Sequence, residues 1–208
     1  KRYYESNEQV SKPADFKIDS YDLEFNFRND LNAVATIKTD DVKDEYKFTL
    51  YHGYKISKIT DGNNDELDFT RDSDYITIKN TSKSKLIKIY YHGSCDKYYS
   101  NYLSVFLPGN FAFYPIPGFN EMYSTHSYAG FDDLSLPYET DFNVTVHSLK
   151  KVQCNLESST NNEFKGKSDS LTLLSGFINC VTINKTQIYY PYFNDAYNSD
   201  TINEKLET

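Results

Sequence analysis

Four histidines, three cysteines and 30 acidic side chains are the groups in this 208-residue chain that could ligate a metal, move a proton or form a covalent bond. None of His52, His92, His126 and His147 stands at metal-ligand spacing from a second His or a Cys, and no His-Glu-x-x-His helix occurs. His52 and His92 each precede a glycine, in Tyr51-His52-Gly53 and Tyr91-His92-Gly93, and read as strand-end turns. His147 falls opposite the apolar face of a predicted strand and reads as a surface residue. His126 lies near Asp132 and Asp133, the one place where an acid/base or metal role can be drawn. Asp132-Asp133 and the run Asp61 to Asp65 carry oxygen ligands of the kind calcium takes, but the second lacks EF-hand spacing. Solvated turns account for both. There is no nucleophile elbow and no phosphate-binding glycine loop. The expectation is a chain with no catalytic set and no cofactor.

The odd count of Cys95, Cys154 and Cys180 leaves at least one thiol unpaired within the chain. Cys154 and Cys180 fall on neighbouring predicted strands, so either one disulfide joins them or all three are idle thiols. Three Asn-x-Ser/Thr sequons begin at Asn80, Asn143 and Asn184, a pattern frequent by chance in an Asn-rich chain.

The aromatic content is the more distinctive chemistry. With 20 Tyr and 14 Phe, the chain holds more rings than a core needs. Tyr98, Tyr99 and Tyr102, with Phe111, Phe113 and Tyr114, form a candidate contact surface for carbohydrate or protein. Tyr189-Tyr190-Pro191-Tyr192 is a second such row. The competing reading is that tyrosines fill strand faces with their hydroxyls in water. A net charge of −8 argues against nucleic acid and anionic membranes as partners.

Strands must position these groups. Tyr21, Leu23, Phe25 and Phe27 alternate with Asp22, Glu24, Asn26 and Arg28, the period of a half-buried strand. Asn29-Asp30 is a turn signal, and Ala33, Ala35 and Ile37 continue as a hairpin partner. Further alternation at Tyr46 to Leu50, Tyr54 to Ile59, Leu67 and Phe69, Tyr75 to Ile78 and Leu86 to Tyr91 repeats at sandwich spacing. Residues 98–137 break the pattern: Leu103, Val105 and Leu107 alternate, then Phe111 to Phe119 is dense in rings and proline, with one short helical turn expected between 119 and 134. Phe142, Val144 and Val146 resume it, followed by Val152 and Cys154, Leu171 to Leu174, Ile178 to Ile183 and Gln187 to Tyr190. The expectation is an all-β, antiparallel β-sandwich over 16–193, after a polar lead-in (1–15) and before a polar tail or linker (194–208). No apolar run approaches a membrane span. The start at Lys1, with neither Met nor signal peptide, reads as a piece of a longer protein.

Particular segments carry a family likeness. Leu86-Ile87-Lys88-Ile89-Tyr90-Tyr91-His92-Gly93 resembles the strand ending in Tyr-x-Gly of the N-terminal β-domain of aminopeptidase N-type (gluzincin) zinc metallopeptidases. Phe111-Ala112-Phe113-Tyr114-Pro115-Ile116-Pro117-Gly118 matches that family's aromatic-Pro segment. Tyr138 to Val146 resembles the strand that follows, and Leu174-Ser175-Gly176-Phe177 its closing strand. The likeness covers about residues 18–192. It implies a saddle-like sandwich whose zinc ligands lie in a following domain. In the family a Gln or Glu shortly before the aromatic-Pro segment contacts the substrate amino terminus. Here Val105-Phe106-Leu107-Pro108-Gly109-Asn110 holds neither, and no site residue carries over. The Tyr-Pro-Ile-Pro-Gly run is similar to peptidase-like extracytoplasmic regions of bacterial transporter permeases. The likeness therefore implies a non-catalytic binding or scaffolding module, extracytoplasmic and membrane-anchored through flanking segments. Its partners would be neighbouring domains of the same polypeptide, or a protein or peptide ligand. A secreted surface adhesin that binds carbohydrate through tyrosine-rich loops is the alternative.

Overall fold

The structure is a computed structural model that describes residues 12–96, 98–122, 134–160, 162–183 and 186–191. The first alternating run is β1 (Ile18–Phe27), paired antiparallel with β2 (Leu31–Thr39). Tyr21, Leu23, Phe25 and Phe27 from β1 and Leu31, Ala33, Ala35 and Ile37 from β2 all point inward and are buried. The register steps from Ile18 to Ser20, a bulge at Asp19. It turns Ile18 onto the same inner face as Tyr21 despite their odd spacing.

The other strands are β3 (Glu45–Thr49), β4 (Tyr54–Asp61), β5 (Phe69–Asp72), β6 (Tyr75–Lys79), β7 (Leu86–Gly93), β8 (Val105–Leu107), β9 (Ile116–Pro117), β10 (Thr140–His147), β11 (Val152–Cys154), β12 (Glu157–Thr160), β13 (Glu163–Ser168), β14 (Leu173–Ser175), β15 (Ile178–Ile183) and β16 (Thr186–Pro191). A seven-stranded sheet runs β12-β13-β10-β1-β2-β7-β4, a four-stranded sheet β5-β6-β3-β9 and a three-stranded sheet β11-β14-β8, with β15-β16 as a separate hairpin. The all-β antiparallel sandwich is observed, with one exception: β1 and β10 lie parallel, Tyr21 opposite Phe142. Their rings stack at 5.0 Å. Strands β12 and β13, absent from the sequence reading, sit at one edge. Phe164 is the one large apolar residue on β13, so polar runs at an edge show almost no alternation.

One hydrophobic cluster joins the sheets. Its centre is the aromatic-Pro segment, which lies between the layers rather than on the surface. Phe25 meets Phe113 at 5.7 Å and Tyr21 meets Tyr114 edge-on at 5.4 Å. Irregular backbone in a core needs partners for its carbonyls. The Tyr91 hydroxyl donates to Phe113 O and the Tyr21 hydroxyl to Pro115 O, both at 2.8 Å. The segment ends at Gly118, with φ +86° and backbone so close that a Cβ would stand 2.8 Å from Lys12 O. Only glycine meets both conditions.

A second organising group is Arg71 on β5. Its guanidinium donates to the carbonyls of Leu50, Tyr51, Tyr54 and Ser73, closing the turn that carries His52. Burial lowers its pKa, and Asp74 opposes that shift. Asp74 in turn accepts from the His52 backbone N at 2.6 Å and faces His52 Nδ1 at 2.8 Å. Replacing Arg71 by Met strands several carbonyls and is expected to cost about 2–3 kcal/mol in urea unfolding. Arg71→Lys recovers little, because an ammonium cannot span the fork's acceptors.

Asn80 makes the first sequon structural. It is 1% exposed; its amide donates to Lys43 O and Ser84 O and its Oδ1 accepts from Ser84 N, so no glycan has room there. Asn143 is half-buried on β10 beside Asp22, and Asn184 lies outside the described residues. The aspartate run at 61–65 is a self-capped turn. The Ser82 hydroxyl and the Asp65 and Asn63 amides hold the Asp61 carboxyl below its ordinary range.

Candidate contact surface

The surface is built by the three-stranded sheet and the loop before it. Val105 and Leu107 of β8 point into the core, so alternation sends Phe106 outward, 42% exposed. The Phe106 amide bonds Tyr99 O at 2.8 Å and Ser100 bridges Val105, pinning the 98–104 loop along the edge of β8. Tyr98 roots this loop: its ring lies 4.8 Å from Phe111 and 5.7 Å, edge-on, from Phe106. Burial pushes its phenol pKa up, with Cys95 adding to the shift. Tyr99 and Tyr102 stand at 64% and 41% exposure, beside Leu103 at 52%.

From the other side comes Phe177, 64% exposed. Gly176 before it has φ +127° and passes so near the loop that a Cβ would lie 3.1 Å from Ser104 Oγ. Lys150 Nζ sits 4.2 Å over the Phe177 ring, and Leu149 beside it is 86% exposed. Tyr99, Tyr102, Leu103, Phe106, Leu149 and Phe177 are thus the large exposed apolar residues of the described structure, on β8, the loop before it and the residues that follow β10 and β14.

Of the six residues proposed from sequence, Tyr99 and Tyr102 are on this face and Tyr98 supports it. Phe111, Phe113 and Tyr114 are corrected to core positions, at 1%, 0% and 1% exposure. They are clamped between sheets where no ligand can reach them. Leu103 is likewise corrected: it precedes the strand and faces solvent. Sequence reasoning passed over Phe106, Phe177 and Leu149. The parity of Val105 and Leu107 carried the signal for Phe106; nothing local marked the others. Tyr189 is half-buried, its hydroxyl donating to Gln153 at 3.2 Å, while Tyr192 lies outside the described residues.

The remaining chemistry is sparse. His147 is exposed as expected and pairs with Glu24 at 3.0 Å. His126, Asp132, Asp133 and most of the expected 119–134 turn lie outside the described residues, as does the 194–208 tail. Among the described residues no group of three or more His, Cys, Asp or Glu is placed to hold a metal, and no helix is long and apolar enough to cross a membrane. None of Cys95, Cys154 and Cys180 is in a disulfide, so the Cys154–Cys180 bridge is not formed. Burial pushes the Cys154 thiol up to about 11, while Cys180 is exposed. Iodoacetamide at pH 7.5 should therefore label Cys180 before Cys154 by mass spectrometry, because the thiolate is the nucleophile.

Comparison with solved structures places this architecture. An aminopeptidase N family protein from Idiomarina loihiensis matches over 89% of this chain and 35% of its own, at TM-score 0.57 and 10% identity. The fold is similar to that of M1 metallopeptidase N-terminal domains. Leukotriene A4 hydrolase from yeast, in complex with bestatin, matches 92% of this chain and 34% of its own, at TM-score 0.57 and 15% identity. An M1 zinc metallopeptidase from Deinococcus radiodurans matches 86% of this chain and 47% of its own, at TM-score 0.50 and 10% identity. The chain thus spans between about a third and a half of these M1-type proteins. No family model and no curated protein matches.

Proposed function

We propose that the chain is a non-catalytic β-sandwich module of a larger, extracytoplasmic, membrane-associated bacterial protein, where it binds or scaffolds a neighbouring domain of the same polypeptide. The observation that carries this reading is the exposure of Tyr99, Leu103, Phe106 and Phe177 around β8, where the Phe106 amide bonds Tyr99 O and Gly176 passes beside Leu103, in an acidic molecule. A contiguous apolar face exposed to water is stable in company, and the proteins that share this fold are two to three times longer. The membrane and extracytoplasmic setting rests on the Tyr-Pro-Ile-Pro-Gly resemblance.

The test has two arms. The isolated chain, incubated with zinc and alanine para-nitroanilide, should release no nitroaniline; turnover would sink the reading. In the longer polypeptide, a photo-crosslinker at Phe106 should yield intramolecular adducts, and serine at Tyr99, Phe106 and Phe177 should abolish fluorescent apolar-dye binding by the isolated chain. Exposure of Tyr99 and Tyr102 sustains the second reading, a glycan-binding adhesin. Binding on a glycan array that is lost in Tyr99→Ala and Tyr102→Ala would favour it.

A further inference from the structure

At the end of the seven-stranded sheet, where β1 and β10 run out side by side, lies an open cleft of about 630 Å³. The volume is within the range of small-ligand sites. Asn26, Arg28 and Asn29 from the end of β1, Ser148 and Leu149 from the end of β10, and Tyr102 are among the residues that line it. Tyr102 is held in place by its backbone amide, which donates to Arg28 O at 2.7 Å. Leu149 and Tyr102 present apolar surface at 86% and 41% exposure.

The electrostatics set this cleft apart. Around it, Glu24 meets His147 at 3.0 Å, Asp30 accepts from the Asn32 amide at 3.2 Å, and Lys150 stands over Phe177. The Arg28 guanidinium has no side-chain partner among the described residues. A guanidinium offers a planar fork matched to a carboxylate, close enough in reach to act locally in a molecule of net charge −8.

We infer that this cleft binds an extended peptide segment, taking a carboxylate on Arg28 and an adjoining apolar side chain between Tyr102 and Leu149. Amides at Asn26 and Asn29 and the Ser148 hydroxyl are hydrogen-bonding groups for the peptide backbone. An exposed leucine in the lining favours an aliphatic or aromatic side chain over a sugar ring, which stacks on aromatic faces and gains little from an aliphatic one. The carboxylate can come from the end of a chain or from an acidic side chain, and both present the same chemistry to Arg28.

Calorimetric titration of the 208-residue chain tests this with four probes: N-acetyl-Ala-Leu-Phe as the free acid, the same peptide as its amide, N-acetyl-Asp-Leu-Phe amide, and a uronic acid trisaccharide. Saturable binding is expected for at least one carboxylate-bearing peptide, and about tenfold weaker binding for the uncharged amide. The first and third probes distinguish a terminal from a side-chain carboxylate. Arg28→Gln should erase the preference for a carboxylate, and Leu149→Asp should weaken binding about tenfold, with both melting curves unchanged. Equal binding of the uncharged amide, no saturation by either acidic peptide, or binding of the trisaccharide alone would overturn the proposal. The proposal rests on no part of the module reading's own test: Tyr99, Phe106 and Phe177, the positions changed there, are not among the residues that line the cleft.

Discussion

Phe113→Ala should lower the unfolding free energy by about 3–5 kcal/mol, read as a fall in urea midpoint at constant slope. The side chain is fully buried, packs on Phe25 at 5.7 Å and on Tyr114 at 5.0 Å, and its carbonyl is the acceptor for Tyr91. Truncation leaves a cavity at the junction of the two layers, where neither sheet can close without moving the other. Against a domain stability of about 5–15 kcal/mol, a loss of this size approaches unfolding. Phe113→Leu should retain more than half of the difference, since most of the volume survives. If Phe113→Ala cost no more than a surface change, the aromatic-Pro segment would not be the centre of the core.

Alkali should unfold the protein steeply. Burial first, with neighbouring phenols adding to it, raises the pKa of Tyr21 and of Tyr91 well above the ordinary value; burial also raises Tyr114. In the unfolded chain all three titrate near pH 10. Their folded pKa values are raised, so the stability they share with the fold is fully present below pH 10. It is lost as pH climbs from there towards the folded values, because the unfolded state releases protons that the native state keeps. Three such groups imply a slope of about 4 kcal/mol per pH unit. Melting temperature should be flat from pH 7 to 9 and then collapse, with a cooperative rise in tyrosinate absorbance at the same pH as loss of β-sheet ellipticity. Gradual ionisation without unfolding would show that these phenols reach water in the native state.

How far the sequence carries depends on where its signals come from. Tyr21, Leu23, Phe25 and Phe27 announce β1 because a half-buried strand must alternate, and every one of them is buried. The 111–119 segment defeats the same reasoning. Phe111, Ala112, Phe113 and Tyr114 are consecutive and all inside, so no period distinguishes core from surface. Strands β12 and β13 fail for the opposite reason, having too few apolar residues to show a face. The candidate surface was half legible: Tyr99 and Tyr102 by type, Phe106 by parity. Leu149 and Phe177 meet the others only through tertiary packing, across gaps in sequence no local pattern spans. Likewise nothing local to the Asn80 sequon marks its amide as buried and bonded to Lys43 and Ser84 inside a turn.

The parallel partnership of β1 and β10 bears on how the molecule is made. Strand β1 ends at Phe27 and its neighbour ends at His147. At about 5–20 residues per second, a ribosome needs roughly 6–24 s to cover that interval. Through all of it the nascent amino-terminal hairpin carries an unpaired, aromatic-rich flank. Hairpins along the way can close locally, but this seam waits. Nascent chains halted before Thr140 should remain protease-sensitive and chaperone-bound, and those released past Ser168 should not.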